Sequence, residues 1–345
     1  MTALGGTLAA APFVSLPTRG QSLPTLQISL PPMIESFPIA FGDDQAVFPD
    51  HGLSVEPVGF SQVADRNVSL LTNTIHGALS DISSVVQLLA NDAQVRITST
   101  AYEAADDHRR YALIAQPWAN VTELDGLLGR LSPDQRESIG LNRRTDIEFE
   151  TDRLIQSIDK QVDESTYYAD FSDTLRLATL IGSGSWMAGV LPEPAGSYLE
   201  FVTGSTGAPA LTIADFKNQD LVPSIFVFQT ELIESDPALI ESFYAGYEAS
   251  VAELSAMNHD EVIDIALDAA LGFFFPSIDK DELPEGADEF LAEYLLPTFP
   301  APRSLGSNEY GLVVDWALGK NYIESSVPFD LAVTERFSGV LSRRT

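Results

Sequence analysis

Acidic and hydroxyl side chains recur where three predicted strands give way to predicted helices. The first junction is 31–37, the second is 80–84 and the third is 145–149. In open α/β sheets, ligands bind in the crevice outside the carboxyl ends of the strands, where helix N-termini present free backbone N–H groups. We therefore expect these three junctions to border one site for a small molecule.

The carboxylates at these junctions predict what the site would hold. Glu35 could pair with a ligand amine, while Asp146 and Glu148 take positions where an anionic substrate would need bare N–H groups. This acidity weighs against sulfonate, nitrate or phosphonate and favours a neutral or amino-bearing heterocycle. Most of these residues would also cap helices in any α/β protein, so capping is the alternative interpretation. The other polar candidates are Ser36, Ser80, Asp81, Ser83, Thr145 and Glu193, the last of which lies in a turn between two prolines.

Four aromatic side chains could hold the faces of a ligand ring. They are Phe37, Tyr102, Phe149 and Trp186. Aromatic rings stack on one another and on ligand rings, but they also bury large areas in protein cores. Core packing is therefore the alternative for each of the four.

The sequence shows none of the residue patterns typical of a catalytic site. There is no cysteine, which excludes thiolate catalysis, Cys-ligated zinc and iron–sulfur clusters. The segment 182–185 is rich in glycine, but it follows a predicted helix and precedes a strand, whereas phosphate loops run from strand to helix. It is better interpreted as a helix end and turn. The four histidines, which show no metal-ligand spacing, are His51, His76, His108 and His259. We expect no catalytic residue, metal or cofactor.

The composition excludes several partners. The 345 residues include 50 Asp and Glu against 19 Lys and Arg, which gives a formal net charge of −31. Such a charge repels nucleic acid and anionic lipid, and no apolar run reaches the roughly 20 residues of a membrane-spanning helix. Only four of the basic residues are Lys, a bias that indicates a surface adapted to concentrated salt. The alternative is an acidic mouth that attracts cations.

Apolar runs of strand length alternate with amphipathic stretches, which is typical of helices covering a mostly parallel sheet. The predicted strands are 26–30, 53–58, 75–79, 95–100, 110–115, 138–141, 166–171, 186–191, 211–216 and 224–228. The predicted helices are 34–47, 64–71, 82–89, 121–128, 147–158, 174–181, a short helix toward Phe201, 237–257, 260–271 and 308–320.

This order predicts an α/β clamshell of two lobes, each with a mixed, mostly parallel sheet flanked by helices, joined by two crossover strands. Its cleft is where a ligand would bind. Lobe 1 is expected to comprise 25–104 and 215–325, and lobe 2 to comprise 105–214. Residues 1–24 are predicted to be a leader or signal remnant, and 326–345 a C-terminal tail.

Several motifs in this order resemble a known family. Segments 38–41 and 52–56, with Phe48 between them, and segment 77–81 resemble the first lobe of ABC-importer solute-binding proteins of the nitrate, taurine or sulfonate and thiamine-pyrimidine-precursor class. The second-lobe motifs are matched by 145–152 and 188–194, and the return strand by 223–228 followed by the long helix after Pro237.

The resemblance implies a type II periplasmic-binding fold outside the cytoplasmic membrane. Such a protein captures a small molecule by hinge closure and delivers it to the transmembrane subunits of an ABC permease, most simply as a monomer without a membrane span. The location would be periplasmic or extracellular. The ligand would be a thiamine-pyrimidine or riboflavin-like heterocycle. Two alternatives stay open: a binding protein for alkanesulfonate, taurine or nitrate, and an enzyme on the same fold, similar to chorismate dehydratases.

Overall fold

The computed structural model describes residues 22–60, 62–103, 108–132, 135–205, 207–217, 221–258, 260–261, 286, 289–290, 293–294 and 296–341. Within them the chain builds two five-stranded sheets, both flanked by helices. The predicted class, an α/β protein of two lobes, is therefore confirmed. Most of the predicted leader, 1–24, and most of the predicted helix 260–271 lie outside the described residues.

Five strands form the first sheet: β1 (Thr25–Leu30), β2 (Ser54–Gly59), β3 (Gly77–Ser80), β4 (Val95–Tyr102) and β10 (Ser224–Gln229). Their order is β2-β1-β3-β10-β4. β1 pairs in parallel with β2 and β3, whereas β10 runs antiparallel to β3 and β4. β1, β2 and β3 therefore end at the same edge of the sheet.

The second sheet repeats this topology with β5 (Arg109–Ala115), β6 (Ile139–Leu141), β7 (Tyr168–Asp170), β8 (Ala188–Pro192) and β9 (Leu211–Lys217). The order is β7-β6-β8-β5-β9, with β6 parallel to β7 and β8 and with β5 antiparallel to β8 and β9. The chain passes between the sheets twice, from β4 to β5 and from β9 to β10. We call the two halves lobe 1 and lobe 2.

Helices cover both faces of each sheet. Those in the first part of the chain are α1 (Phe37–Asp44), α2 (Val47–Asp50), α3 (Val63–Leu71), α4 (Ile82–Ala90), α5 (Leu124–Leu128), α6 (Asp146–Gln156) and α7 (Glu164–Tyr167). Those that follow are α8 (Thr174–Gly182), α9 (Ala195–Ser205), α10 (Thr230–Ser235), α11 (Pro237–Ala256), α12 (Ser307–Gly319), α13 (Phe329–Ala332) and α14 (Ser338–Leu341). Among the described residues, no helix combines the length and apolar content needed to cross a membrane.

The single helix predicted over 34–47 is divided. A short 3-10 turn, Ile34–Ser36, precedes α1, and α2 follows after a break. At the break Ala46 has a φ of 56°, in the left-handed region. A right-handed helix cannot continue through that conformation. The prediction was wrong here because the apolar periodicity of the segment carries no information about a single residue's backbone angle.

Several short helices were also missed, α7 and α10 among them. α10 occupies six residues between β10 and the proline that opens α11, too few to show a helical period. The strand predicted over 166–171 is limited to β7, because α7 takes up the residues before it. The predicted turn at 182–185 is confirmed: α8 ends at Gly182, and Gly184 has a φ of 73°, a conformation that glycine adopts without strain.

Aromatic packing anchors α11 on lobe 1. The ring of Phe243 lies edge-on to Phe226 at 5.2 Å between centroids and parallel to Phe48 at 5.9 Å. The C-terminal segment joins the same core, since Phe337 is fully buried there. Val333 forms a parallel bridge to Ile97 of β4. The described part of the segment predicted as a tail, 326–341, therefore packs against the lobe 1 sheet.

Candidate ligand-binding cleft

A small cavity lies between the lobes at the edge where β1 and β3 end. Its volume is about 40 Å³, and lobe 1 lines it with residues from the β1 and β3 ends and from α3. Lobe 2 contributes the start of β5, Asn142 after β6, and the first turn of α6. We call this cavity the chamber. It lies where the carboxyl ends of the strands predict a ligand site.

The N-termini of α4 and α6 meet at the chamber. Thr145 caps α6, and its hydroxyl accepts a hydrogen bond from the amide of Ile147 at 3.3 Å. Asp146, the first residue of α6, reaches across to lobe 1. Its carboxylate oxygens accept hydrogen bonds from the backbone amides of Ile82 at 3.1 Å and Ser83 at 3.0 Å. A lobe 2 carboxylate thus occupies the N-terminus of a lobe 1 helix.

Burial raises the pKa of Asp146 well above its ordinary value, and the neighbouring carboxylate of Asp81 adds to this effect. Arg110 and the amides of Ile82 and Ser83 act in the opposite direction without outweighing burial. Asp146 is fully buried. The chamber therefore favours the neutralised form of this carboxyl group.

This raised pKa predicts a pH dependence. The stabilisation from protonating Asp146 is fully present below the ordinary Asp pKa of about 3.9 and is lost as the pH rises through the raised value. Asp146→Asn keeps the shape of the side chain and has no proton to lose. We expect the difference in melting temperature, variant minus parent, to be larger at pH 8 than at pH 5 when both are measured by calorimetry. An equal difference at both pH values would contradict the raised pKa.

A second contact between the lobes is the ion pair of Glu35 and Arg110. Both side chains are 2% exposed, and Arg110 Nε donates to a Glu35 carboxylate oxygen. Arg110 Nη1 also donates to the carbonyl oxygen of Val222 at 2.5 Å. The hydroxyl of Ser36 donates to the Pro31 carbonyl oxygen at 2.7 Å, which fixes the turn that carries Glu35. In this conformation the negative charge of Glu35 is neutralised by the guanidinium group of Arg110 and not by a ligand.

Arg66 of α3 is a further charged group at the chamber. It is 4% exposed, and its Nη2 lies 3.4 Å from Asp81 Oδ2. Asp81 caps α4 by accepting from the Ser84 amide at 2.8 Å. Burial lowers the pKa of Arg66, and the carboxylates of Asp81 and Asp146 oppose this effect. The chamber therefore contains two buried arginines and three carboxyl groups.

Five of the predicted site residues line the chamber: Glu35, Ser80, Asp81, Thr145 and Asp146. Sequence reasoning missed Arg66, Arg110 and Tyr111, which line it too. A signal for Arg66 exists, since it lies three residues after Val63 and four before Leu70, on the apolar face of α3. A buried position for an arginine there indicates a partner or a site.

The other predicted residues lie elsewhere. Ser36 and Ser83 are buried beside the chamber without lining it; Ser83 Oγ donates to the Arg144 carbonyl oxygen at 3.0 Å. Glu148 accepts from Tyr322 Oη at 2.9 Å. Glu193 pairs with Arg109 at 2.5 Å.

The four predicted ring-stacking residues pack against protein rings. Phe37 and Tyr102 belong to one apolar cluster. Phe149 projects from α6 into the lobe 1 core, edge-on to Trp316 at 5.5 Å. Trp186 packs edge-on to Phe171 at 4.7 Å within lobe 2. In the described residues all four rings pack against other side chains of the protein, as the alternative of core packing predicts.

A wider groove of about 450 Å³ adjoins the chamber and shares Pro31, Met33, Val63, Arg66 and Asn142 with it. Its apolar lining also includes Pro32, Pro57, Phe60 and Leu175. The ends of β1 and β2 contribute one wall, and the segment after β7 contributes the other. We call it the outer groove. No sequence-predicted site residue lines it.

The described residues contain no group of three or more His, Asp or Glu side chains placed to hold a metal ion. The carboxyl groups of the chamber are engaged instead with arginines and with backbone amides. The arrangement can therefore hold a polar head group by hydrogen bonds and charge, with apolar surface beside it.

No family model matches the sequence, and no curated protein matches it. Solved structures do. The zinc-bound ligand-binding component of an ABC-type import system from Staphylococcus aureus aligns with 93% of this chain and 99% of its own, at 13% identity and a TM-score of 0.66. The alkanesulfonate-binding protein SsuA from Xanthomonas axonopodis pv. citri, bound to MOPS, aligns with 91% and 99%, at 10% identity and a TM-score of 0.66.

The periplasmic nitrate-binding protein NrtA from Synechocystis PCC 6803 is a third similar structure. It aligns with 88% of this chain and 83% of its own, at 8% identity and a TM-score of 0.61. Identities this low establish the fold alone. The chain therefore has the two-lobed fold of the solute-binding components of ABC import systems, as the sequence resemblance predicts.

Proposed function

We propose that this protein is an extracytoplasmic solute-binding protein that captures one small molecule between its lobes and delivers it to an ABC permease. One observation carries the proposal: a chamber lined by both lobes, where backbone amides of α4 in lobe 1 donate hydrogen bonds to Asp146 of lobe 2. A ligand that replaces or joins these contacts would bind to both lobes at once. Such a ligand favours the closed form, since it gains contacts there that the open form lacks.

The ligand we propose is a neutral or amino-bearing molecule, such as a thiamine-pyrimidine or riboflavin-like heterocycle. The chamber supports this choice through Asp146 and Asp81, which can accept hydrogen bonds from amine or ring N–H groups. Its volume admits only a small head group, since a single water needs about 10–15 Å³ by the same kind of measure. The body of the ligand would then lie in the outer groove, against Met33, Phe60 and Leu175.

A second candidate is an alkanesulfonate, taurine or nitrate. Arg66 and Arg110 favour it, because buried guanidinium groups bind sulfonate oxygens through paired N–H donors. The similar structures from Xanthomonas and Synechocystis are described as alkanesulfonate-binding and nitrate-binding. This chain's arginines, however, already pair with Asp81 and Glu35. The amino-bearing ligand therefore remains the first proposal.

Native mass spectrometry of the purified chain tests the proposal. We expect an adduct of one small molecule per chain, released unchanged on denaturation and identified by its mass. Adding that molecule back to stripped protein should reduce the radius of gyration in X-ray scattering, as hinge closure requires. The stripped protein without ligand is the control.

Three results would contradict the proposal. A substrate recovered together with a converted product would indicate an enzyme on this fold. A ligand that binds without any change in radius of gyration would exclude closure as the mechanism. The third result is a protein that purifies without a bound molecule and whose melting temperature is not raised by any pyrimidine, flavin, amine or sulfonate. Such a protein would not be a binding protein for these ligands.

A further inference from the structure

We infer that Asp146 determines the specificity of the cleft: its carboxyl group fills the helix position where a ligand anion would bind, and it selects a ligand with an ammonium or N–H donor head group. The inference rests on the proposed binding function and concerns the same chamber. It makes a single residue of lobe 2 responsible for the sign of charge that the chamber accepts.

The first step of the argument is geometric. The free amides of a helix N-terminus, together with the helix dipole, attract anions. At α4 the amides of Ile82 and Ser83 both donate to Asp146, and Ser84 donates to Asp81. The first-turn donors that face the chamber are thus taken by carboxylates of the chain. An incoming sulfonate would have to displace Asp146 while remaining close to Asp81.

The second step concerns charge. Among the described residues, Asp146 makes no ion pair, since Arg110 is bound to Glu35 and Arg66 to Asp81. A buried carboxylate without a paired cation is costly and tends to be neutralised. The raised pKa of Asp146 agrees with this. A ligand ammonium could replace the proton as the neutralising charge.

The third step concerns unused acceptor capacity. A carboxylate offers about four lone-pair positions, and the two amides of α4 use two of them. Asp146 also lines the chamber, so a head group there can approach its oxygens. The apolar lining of the outer groove adjoins it. The matching ligand is an amphipathic amine, with its head against Asp146 and its apolar body beside Met33 and Phe60.

Calorimetric titration with two probes that differ only in the head group tests this inference. Hexylammonium and hexanesulfonate have the same apolar chain and opposite charges. Each is titrated into the parent protein, Asp146→Ala and Asp146→Asn at one fixed salt concentration. We expect Asp146→Ala to bind hexanesulfonate at least tenfold more tightly than the parent does, and hexylammonium at least tenfold more weakly.

Asp146→Asn separates charge from occupancy. Asparagine still fills the position at α4 but carries no charge, so we expect it to lose affinity for hexylammonium without gaining affinity for hexanesulfonate. It also keeps the test open if Asp146→Ala does not fold. Asp65→Asn is the matched control, because it removes the same charge from an exposed position of α3 next to Arg66. It should change either affinity less than threefold.

The inference would be overturned if the parent bound hexanesulfonate as tightly as hexylammonium, or if Asp146→Ala gained no affinity for hexanesulfonate. An equal gain in Asp65→Asn would overturn it too, since the effect would then be general electrostatics. Failure of the proposed function looks different. If the parent co-purifies with an anion and closes around it, the proposed function stands and the inference about Asp146 is wrong. If the probes bind with the expected affinities but the protein does not close, the inference stands and the proposed function is wrong.

Discussion

The variant Glu35→Ala is expected to lower the free energy of unfolding by about 3–5 kcal/mol, the range for breaking a buried ion pair from one side. Glu35 and Arg110 are each 2% exposed, so removal of the carboxylate leaves a guanidinium charge without its partner and away from water. The carbonyl oxygen of Val222 still accepts from Arg110, but it cannot neutralise a charge. The large effect comes from the charge that remains, not from the strength of the pair.

Denaturant unfolding of the parent, Glu35→Ala and the double variant Glu35→Leu with Arg110→Met measures this effect. The double variant removes both charges and keeps apolar volume, so we expect it to recover most of the loss, because such replacements of buried pairs are often neutral or stabilising. X-ray scattering shows whether Glu35→Ala separates the lobes before it unfolds. A loss below about 1 kcal/mol, with unchanged dimensions, would mean that Arg110 reaches water in the parent.

The fold could be predicted from the sequence because each strand and helix leaves a local hydrophobic pattern. Each strand ends in a junction that the hydrophobic pattern marks, and parallel strands end at the same edge of a sheet. Ser80, Asp81, Thr145 and Asp146 were placed at the cleft by this reasoning, and the structure brings them together around the chamber. The boundaries of α4 and α6 agree within one or two residues with the predicted helices.

The pairings across the chamber could not be predicted in the same way. Glu35 meets Arg110 across 75 positions of sequence, and Asp146 meets Ser83 across 63. No periodicity encodes which acid faces which base. The sequence therefore presented Glu35 as a carboxylate for a ligand amine, whereas in the structure its partner is Arg110. Asp146, which accepts from two backbone amides and makes no ion pair within the described part of the chain, is the better acceptor.

Residue type alone also could not separate cleft aromatics from core aromatics. Phe149 lies on the same side of α6 as Asp146 but about 4.5 Å further along the helix axis. At that depth it faces Trp316 and the lobe 1 core. A helix that begins at a ligand site directs its later side chains into the interface behind it. Phe60 and Leu175, which the pattern did not single out, lie in the outer groove instead.

The net charge of −31 gives the second large expected effect: the melting temperature should rise by about 10 °C between 0.1 M and 1 M NaCl. Self-repulsion destabilises a compact acidic chain, and the Debye length falls from about 10 Å to about 3 Å over this range. At roughly 2–4 °C per kcal/mol for domains of 150–250 residues, the shift corresponds to about 3–5 kcal/mol. Salt screens the attraction within buried ion pairs less than the repulsion between surface carboxylates, because pairs such as Lys320 with Glu148 are largely removed from solvent.

Two controls separate screening from the general effect of cosolutes. Screening saturates once the Debye length is shorter than the spacing of surface charges, so the gain should level off above about 1 M, whereas exclusion of solute from the surface continues to increase. Sucrose, an excluded but uncharged solute, supplies the comparison at equal osmolality. Near pH 4.2, where the sequence carries no net charge, the salt response should be small. A melting temperature that rises equally in NaCl and sucrose at neutral pH would show that the acidic surface does not govern stability.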